Sequence, residues 1–446
     1  MGKITQVIKR TGAVVPFTPE RITNAIYRAA VAVGGRDREI SEHLAGQVVE
    51  MLEKDHPDGF IPHIEEIQDL VEKVLIETGH ARVAKAYILY RDERARHRKQ
   101  HDAQTARPSE NIPWAKIWQV LDWAVDHGVN TVAALNHRID AGDYPQIVTE
   151  SEAAYEVDVE KAVEGMLSRS QQPRVVIITG PSSSGKTTTT IKVGQRLQKV
   201  GLKLVTFTVD NYFFDLEIHP KDEFGDYDFE TPQALDLELI SHHLAQLVKG
   251  EEVMLPFYDF KTGHRFNDHT PMKIAPDEII LIDSLHGLFP KMTESIPDEL
   301  KFKLYLEPLL QLKGEDGEYV RWTDIRLIRR MLRDAAHRAY DPRQTLEHWH
   351  YVRSSELRNI IPHINETDAI VNSAMPFEIP LYAARMLTLF KQWSNEYKDD
   401  PLREDAYQRA ERIYSLLQTV HPHDDERVIP SESVIREFIG GSSLNY

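Results

Sequence analysis

The chain has no cysteine, so disulfides, thiolate zinc sites, iron–sulfur clusters and cysteine nucleophiles are all excluded. It also lacks any uninterrupted apolar run near the ~18 residues a membrane span needs. The opening segment MGKITQVIKR has no apolar core of a secretion signal, and Gln6 stands where a myristoylation motif wants Ser or Thr. Positive charge is in deficit: 53 Lys and Arg face 70 Asp and Glu, a formal net charge of −17. A field of that sign opposes nonspecific binding to nucleic acid. The expectation is a cytoplasmic protein with no nucleic-acid and no membrane partner. At 446 residues with 41% hydrophobic side chains, the chain can build globular cores and is too long for one ordinary core.

Four pieces follow from the patterning. Residues 1–98 open with an apolar strand-like run, Ile4 to Lys9, a turn at Thr11-Gly12 and a second run, Ala13 to Phe17, which predicts a small hairpin. Thr18-Pro19-Glu20 then reads as a helix start, with Ile22, Ala25, Ile26 and Ala29 at helical spacing. Residues 99–165 are predicted to be a helical connector, to which no chemistry attaches. Residues 166–380 alternate strand and helix patterns, the mark of a parallel α/β sheet flanked by helices. Residues 381–446 form a helical extension ending in a Gly-Gly-Ser tail.

The strongest chemical signal is an apolar β-branched run, Val175–Ile178, that leads into Gly180, Pro181, Ser182, Ser183, Ser184, Gly185, Lys186, Thr187 and Thr188. A helical pattern continues to about Val200, with Gly201 where a C-terminal cap belongs. This is the strand–loop–helix context of a P-loop. Glycines let the backbone curl so that its N–H groups face phosphate oxygens, and the helix N-terminus adds positive potential. Lys186 would reach the β- and γ-phosphates of ATP, and the Thr187 hydroxyl would ligate Mg²⁺.

Two carboxylates end strands. Asp210 closes the predicted strand Leu202–Val209, on the side where substrates bind in open α/β sheets, and could accept the proton of an attacking hydroxyl. The alternative is that it caps the following turn. Asp283 ends Glu278-Ile-Ile-Leu-Ile-Asp283, the form of a strand whose carboxylate holds Mg²⁺, and a structural strand-end aspartate fits the same pattern. Arg326, Arg329, Arg330 and Arg333 fall at i, i+3, i+4 and i+7 on one helix face. That face could be solvated or could form a phosphate-facing lid.

With those residues in view, 174–375 resemble the uridine kinase/phosphoribulokinase branch of P-loop kinases. The carriers are GPSSSGKT, VDNYF (209–213), YDFETPQALD (227–236), LPFYDFKTGHR (255–265) and DIRLIRRMLRD (324–334). The resemblance implies a kinase that transfers the γ-phosphate of ATP to a hydroxyl of a small-molecule acceptor, a nucleoside foremost, with Asp210 as general base. It places Asp228, Tyr258, His264, Arg265 and Arg326 against the acceptor, and Arg329 and Arg333 against phosphates. Departures from the pattern concern the acceptor: Gly263 stands where uridine kinases carry a base-reading His, Asp283-Ser284-Leu285 replaces Glu-Gly-Ile, and Tyr340 replaces a lid Arg. A longer bacterial subgroup shares FKTG.R, the His286–Leu288 segment and the Phe438–Ser442 tail. A different acceptor (a sugar phosphate or polyol) and a nonenzymatic nucleotide sensor are the alternatives.

Residues 3–98 resemble the ATP-cone, a nucleotide-sensing domain, through Val7-Ile-Lys9-Arg10-x-Gly12, Pro16-Phe17, Arg21-Ile22, Ile67-Gln-Asp and Ala86-Tyr87. The resemblance assigns Lys9, Arg10 and Arg21 to ATP or dATP, and implies regulation through assembly of a homo-oligomer.

Overall fold

The structure is a computed structural model that describes residues 4–8, 14–35, 37–57, 60–89, 111–220, 229–337, 341–400 and 403–444. Its contacts group the described residues into two units, one before Ser109 and one from Glu110 onward.

In the first unit, β1 (Gln6–Ile8) pairs antiparallel with β2 (Val14–Pro16), the predicted hairpin. Helix α1 (Glu20–Ala32) starts directly after Pro19, whose fixed φ suits a helix entrance. Helix α2 (Arg38–Asp55) begins where the Asp37 carboxylate accepts the Glu39 and Ile40 N–H groups. Helix α3 (Ile64–Glu77) and a helical stretch over 81–89 complete the unit. Their inward faces, including Ile22, Ile26, Val48, Leu52, Ile67, Val71 and Leu75, form its apolar core.

The second unit holds a five-stranded, all-parallel sheet in the order β4-β7-β3-β8-β9. The strands are β3 (Val175–Thr179), β4 (Lys203–Thr206), β7 (Glu278–Ser284), β8 (Lys301–Glu307) and β9 (Ala369–Asn372). Central β3 is buried along its whole length, as a strand covered on both faces must be. Its register sets Ile178 opposite Asp283 and Thr179 opposite both Ser284 and Tyr305, which brings three carboxyl ends to one rim.

Helices α4 (Trp114–Asp126), α5 (Val132–Asp140) and α6 (Tyr144–Leu167) precede the sheet, and α7 (Lys186–Lys199) and α8 (Leu237–Val248) lie within its crossovers. Helices α9 (Trp322–His337), α10 (Pro342–Asn359), α11 (Glu378–Tyr397) and α12 (Glu404–Leu417) follow. Tyr155 and Val159 of α6 and Phe390 and Trp393 of α11 belong to the same apolar cluster as Val176 and Ile178 of β3. The segments 99–165 and 381–446 thus contribute helices to the core beneath the sheet.

Two details depart from the strand pattern read in the sequence. The strand expected over 202–209 stops at Thr206, and Val209–Tyr212 form a turn of 3₁₀ helix. Phe207, Val209 and Tyr212 are all buried there; a strand would put Tyr212 on the face opposite Phe207 and Val209, and the 3₁₀ turn lets it join them. The second departure is an antiparallel hairpin, β5 (Val253–Asp259) and β6 (His264–Met272), inserted into the parallel alternation.

Candidate active site

The loop after β3 is shaped by residues that tolerate positive φ. Gly180 has φ +157°, and a Cβ there would lie 2.1 Å from the Leu306 carbonyl oxygen. Gly185 has φ +94°, and its Cβ would lie 2.3 Å from Val434 Cγ2. Only glycine fits either place. Ser183 adopts φ +59° between them. The Ser183 and Ser184 hydroxyls are buried with no hydrogen-bond partner. Such orphaned donors suit phosphate oxygens. Lys186 Nζ donates to the Gly180 and Pro181 carbonyls at 3.0 and 3.2 Å.

Lys186, Thr187, Asp283 and Asp210 converge on the rim. Burial pushes the Lys186 ammonium down, against the opposing pull of the Asp283 and Glu437 charges. Burial pushes the Asp283 carboxyl up to about 6; the Lys186 charge and a hydrogen bond from Thr187 work against that rise, and Glu437 and Asp210 add to it. Asp210 is exposed on its 3₁₀ turn, close enough for its charge to act on Asp283. The Thr187 hydroxyl and Asp283 are hard oxygen donors of the kind Mg²⁺ takes. Among the described residues no group of three or more His, Asp or Glu could hold a metal ion.

The arginines of α9 divide. Arg330 reaches the loop: its Nη1 donates to the Ser182 hydroxyl at 3.1 Å and to Glu230 at 2.9 Å. Arg333 is half-buried, and its charge acts on Lys186. Arg326 and Arg329 are fully buried. Arg326 forks onto Glu356 at 2.6 and 2.8 Å and donates to the Ser182 carbonyl at 3.0 Å. Arg329 forks onto Glu378 at 2.8 and 2.9 Å and donates to the Ser373 carbonyl at 2.7 Å.

Residues 5–96 match the ATP cone domain family, and residues 175–379 match the Phosphoribulokinase / Uridine kinase family. The chain joins an ATP-cone domain to a phosphoribulokinase/uridine kinase family domain. Curated relatives of the kinase-family domain include a uridine kinase of Oceanobacillus iheyensis, 28% identical over 202 residues, 45% of this chain and 87% of that protein. Uridine-cytidine kinase B of Dictyostelium discoideum is 24% identical over 205 residues, 46% of this chain and 76% of that protein. A solved structure from Bacillus stearothermophilus, described as a possible uridine kinase, covers 48% of this chain and 97% of its own at 17% identity, with a TM-score of 0.33.

In the kinase-family domain, the residues expected at the acceptor are unevenly placed. Tyr258 is buried on β5, its N–H donating to Asn211 Oδ1 at 3.4 Å, one residue from Asp210. Its ring joins Phe213 at 5.6 Å and Phe260 at 4.9 Å, an aromatic wall beside the carboxylate turn. Arg265 is held by Asp236 at 3.0 Å and lies over the Phe214 ring. His264 is exposed, with Nδ1 3.8 Å from Asp215. Asp228 and Tyr340 lie outside the described residues, as do Lys9 and Arg10 of the cone. Arg21 is exposed in the first turn of α1.

The phosphate- and acceptor-facing places read for Arg326 and Arg329 are corrected by this geometry. Each is buried and ion-paired, Arg326 to Glu356 and Arg329 to Glu378, as a buried guanidinium must be to be stable. Three loop neighbours escaped the sequence reading. Arg330 was noted only as one of the arginine face, Glu356 carried no motif, and Glu437 sat unremarked just before the Phe438–Ser442 tail. Glu356 accepts the Ser182 N–H at 3.1 Å, so the Arg326–Glu356 pair props the loop from behind.

Proposed function

We propose that the second unit is an ATP-dependent kinase that transfers the γ-phosphate to a hydroxyl of a small molecule, with a nucleoside as the leading acceptor. The observation that carries this is the convergence of Lys186, Thr187 and Asp283 with an exposed Asp210 at one sheet rim. Loop N–H groups and Lys186 bind and orient the triphosphate, and Arg330 and Arg333 balance the charge that develops on the transferring group. Thr187 and Asp283 would hold Mg²⁺, which supplies charge neutralisation between the β- and γ-phosphates. Asp210 accepts the proton of the attacking oxygen. Its exposure leaves room for an acceptor, and that argues against a purely sensing protein.

The acceptor side favours a neutral, planar ligand. Phe213, Tyr258 and Phe260 offer ring surface, while Arg265, the arginine among the described residues expected at the acceptor on this hairpin, is already neutralised by Asp236. A phosphate-bearing acceptor needs a cation that this pairing removes. The names of the relatives, uridine kinase and uridine-cytidine kinase, support the same class. The cone is proposed to bind ATP or dATP near Arg21 and to tune the kinase through homo-oligomer assembly in the cytoplasm.

The test is a pooled screen. The protein is incubated with Mg²⁺-ATP and a mixture of nucleosides, sugars, sugar phosphates and polyols, and new phosphate esters are read by mass spectrometry. A phosphorylated nucleoside is expected; a phosphorylated sugar phosphate or polyol, with nucleosides untouched, would replace the acceptor class.

A further inference from the structure

Thr188 stands in the first turn of α7, whose N–H groups have no partner within the helix and attract anions. Its N–H and its hydroxyl both donate to one oxygen of Glu437, at 3.1 and 2.8 Å. Glu437 lies 249 positions along the chain and is itself buried. Its charge acts on Lys186 and on Asp283. The segment that carries it is anchored independently of that contact. Ser433, Val434, Ile435 and Phe438 are buried, and Val434 packs on Gly185. The Arg329 guanidinium lies over the Phe438 ring at 5.1 Å, and Arg436 donates to the Glu426 and Ile429 carbonyls at 2.7 and 2.8 Å.

We infer that Glu437 is an internal ligand of the P-loop: its carboxylate takes the Thr188 donors that a nucleotide phosphate needs, so the C-terminal tail competes with nucleotide and sets its affinity. This rests on the reading of the loop as a nucleotide site. A phosphate and a carboxylate cannot share one pair of donors, and both carry negative charge. Nucleotide entry therefore requires the Glu437 side chain to turn aside and the short turn that carries it, 434–439, to loosen. The tail acts on binding, because Thr188 lies at the helix end of the loop and the proton-accepting Asp210 is carried by a separate turn.

The test is E437Q, which keeps the shape and removes the charge. Isothermal titration with ADP and with a nonhydrolysable ATP analogue, both with Mg²⁺, should show tighter binding by about tenfold or more, the scale of one charge-assisted hydrogen bond. The KM for ATP should fall with it. Unchanged or weaker binding by a folded E437Q overturns the inference. If E437Q does not fold, hydrogen exchange on the wild type decides. Amides of 434–439 should exchange faster with ADP present, and slower or unchanged exchange refutes the competition. Should neither E437Q nor the wild type bind nucleotide, with K186A indistinguishable from both, the nucleotide reading falls and this inference with it.

Discussion

Replacing Arg326 by methionine separates a loop-supporting role from a ligand-binding one. The side chain is fully buried, forks onto Glu356 at 2.6 and 2.8 Å, and has its Nε 3.5 Å from Glu307. Arg326→Met leaves the buried Glu356 and Glu307 carboxylates with Arg353, 2.5 Å from Glu356, as their remaining cation. Breaking a buried pair from one side costs about 3–5 kcal/mol. For a unit of this size that is a drop on the order of 10 °C in melting temperature. The loop should loosen as well, since Glu356 also accepts the Ser182 N–H. The assay is a thermal melt followed by circular dichroism, paired with titration of nucleotide. Arg326→Met combined with Glu356→Leu should recover part of the lost stability, because well-packed apolar residues can replace a buried ion pair at little cost. A single variant that melts within about 2 °C of wild type, but binds its acceptor poorly, would refute the reasoning and return Arg326 to the ligand.

Gly185→Ala should cost about 1–3 kcal/mol and weaken nucleotide binding, because the position has φ +94° and a Cβ 2.3 Å from Val434 Cγ2; a melt with a binding titration checks it. Glu152 is held up to about 6 by burial, opposed by its hydrogen bond from Ser433. Its folded pKa lies above the unfolded one, so ionising it penalises the fold as pH rises through roughly 4.5 to 6, and the penalty persists above that window. Glu152→Gln should therefore stabilise the protein at pH 8 relative to wild type and have less effect at pH 4.5, read from melts at the two pH values. A full-length K9A/R10A/R21A variant should lose any response of kinase activity and oligomeric state to ATP or dATP; an unchanged response, by activity assay and light scattering, counts against the cone assignment.

Much of the fold was legible because its signals are local. The run into Gly180 and the helix after Lys186 occupy a single stretch of chain, and β-branched periodicity marked the strands beside it. The end of β4 was misjudged because the apolar pattern up to Val209 read as strand, whereas the chain turns at Val209–Tyr212 and buries Tyr212 with Phe207 and Val209. The arginine face was visible by its spacing, but its partners were not. Glu356 lies 30 positions from Arg326, and Glu378 lies 49 from Arg329. Periodicity within one helix says which side chains share a face; it does not say what packs on it. Glu437 was still further out of reach, joined to Thr188 only by the folding of the whole second unit.

The central claim is that the loop presents a triphosphate to a proton-accepting carboxylate. Asp210→Asn tests it most directly, with ADP release and nucleotide affinity measured on the same preparation in the presence of a phosphorylated acceptor's parent compound. The account predicts turnover reduced by about a hundredfold or more, the scale of general-base catalysis, with nucleotide affinity near that of wild type. Turnover retained at the wild-type level would contradict it.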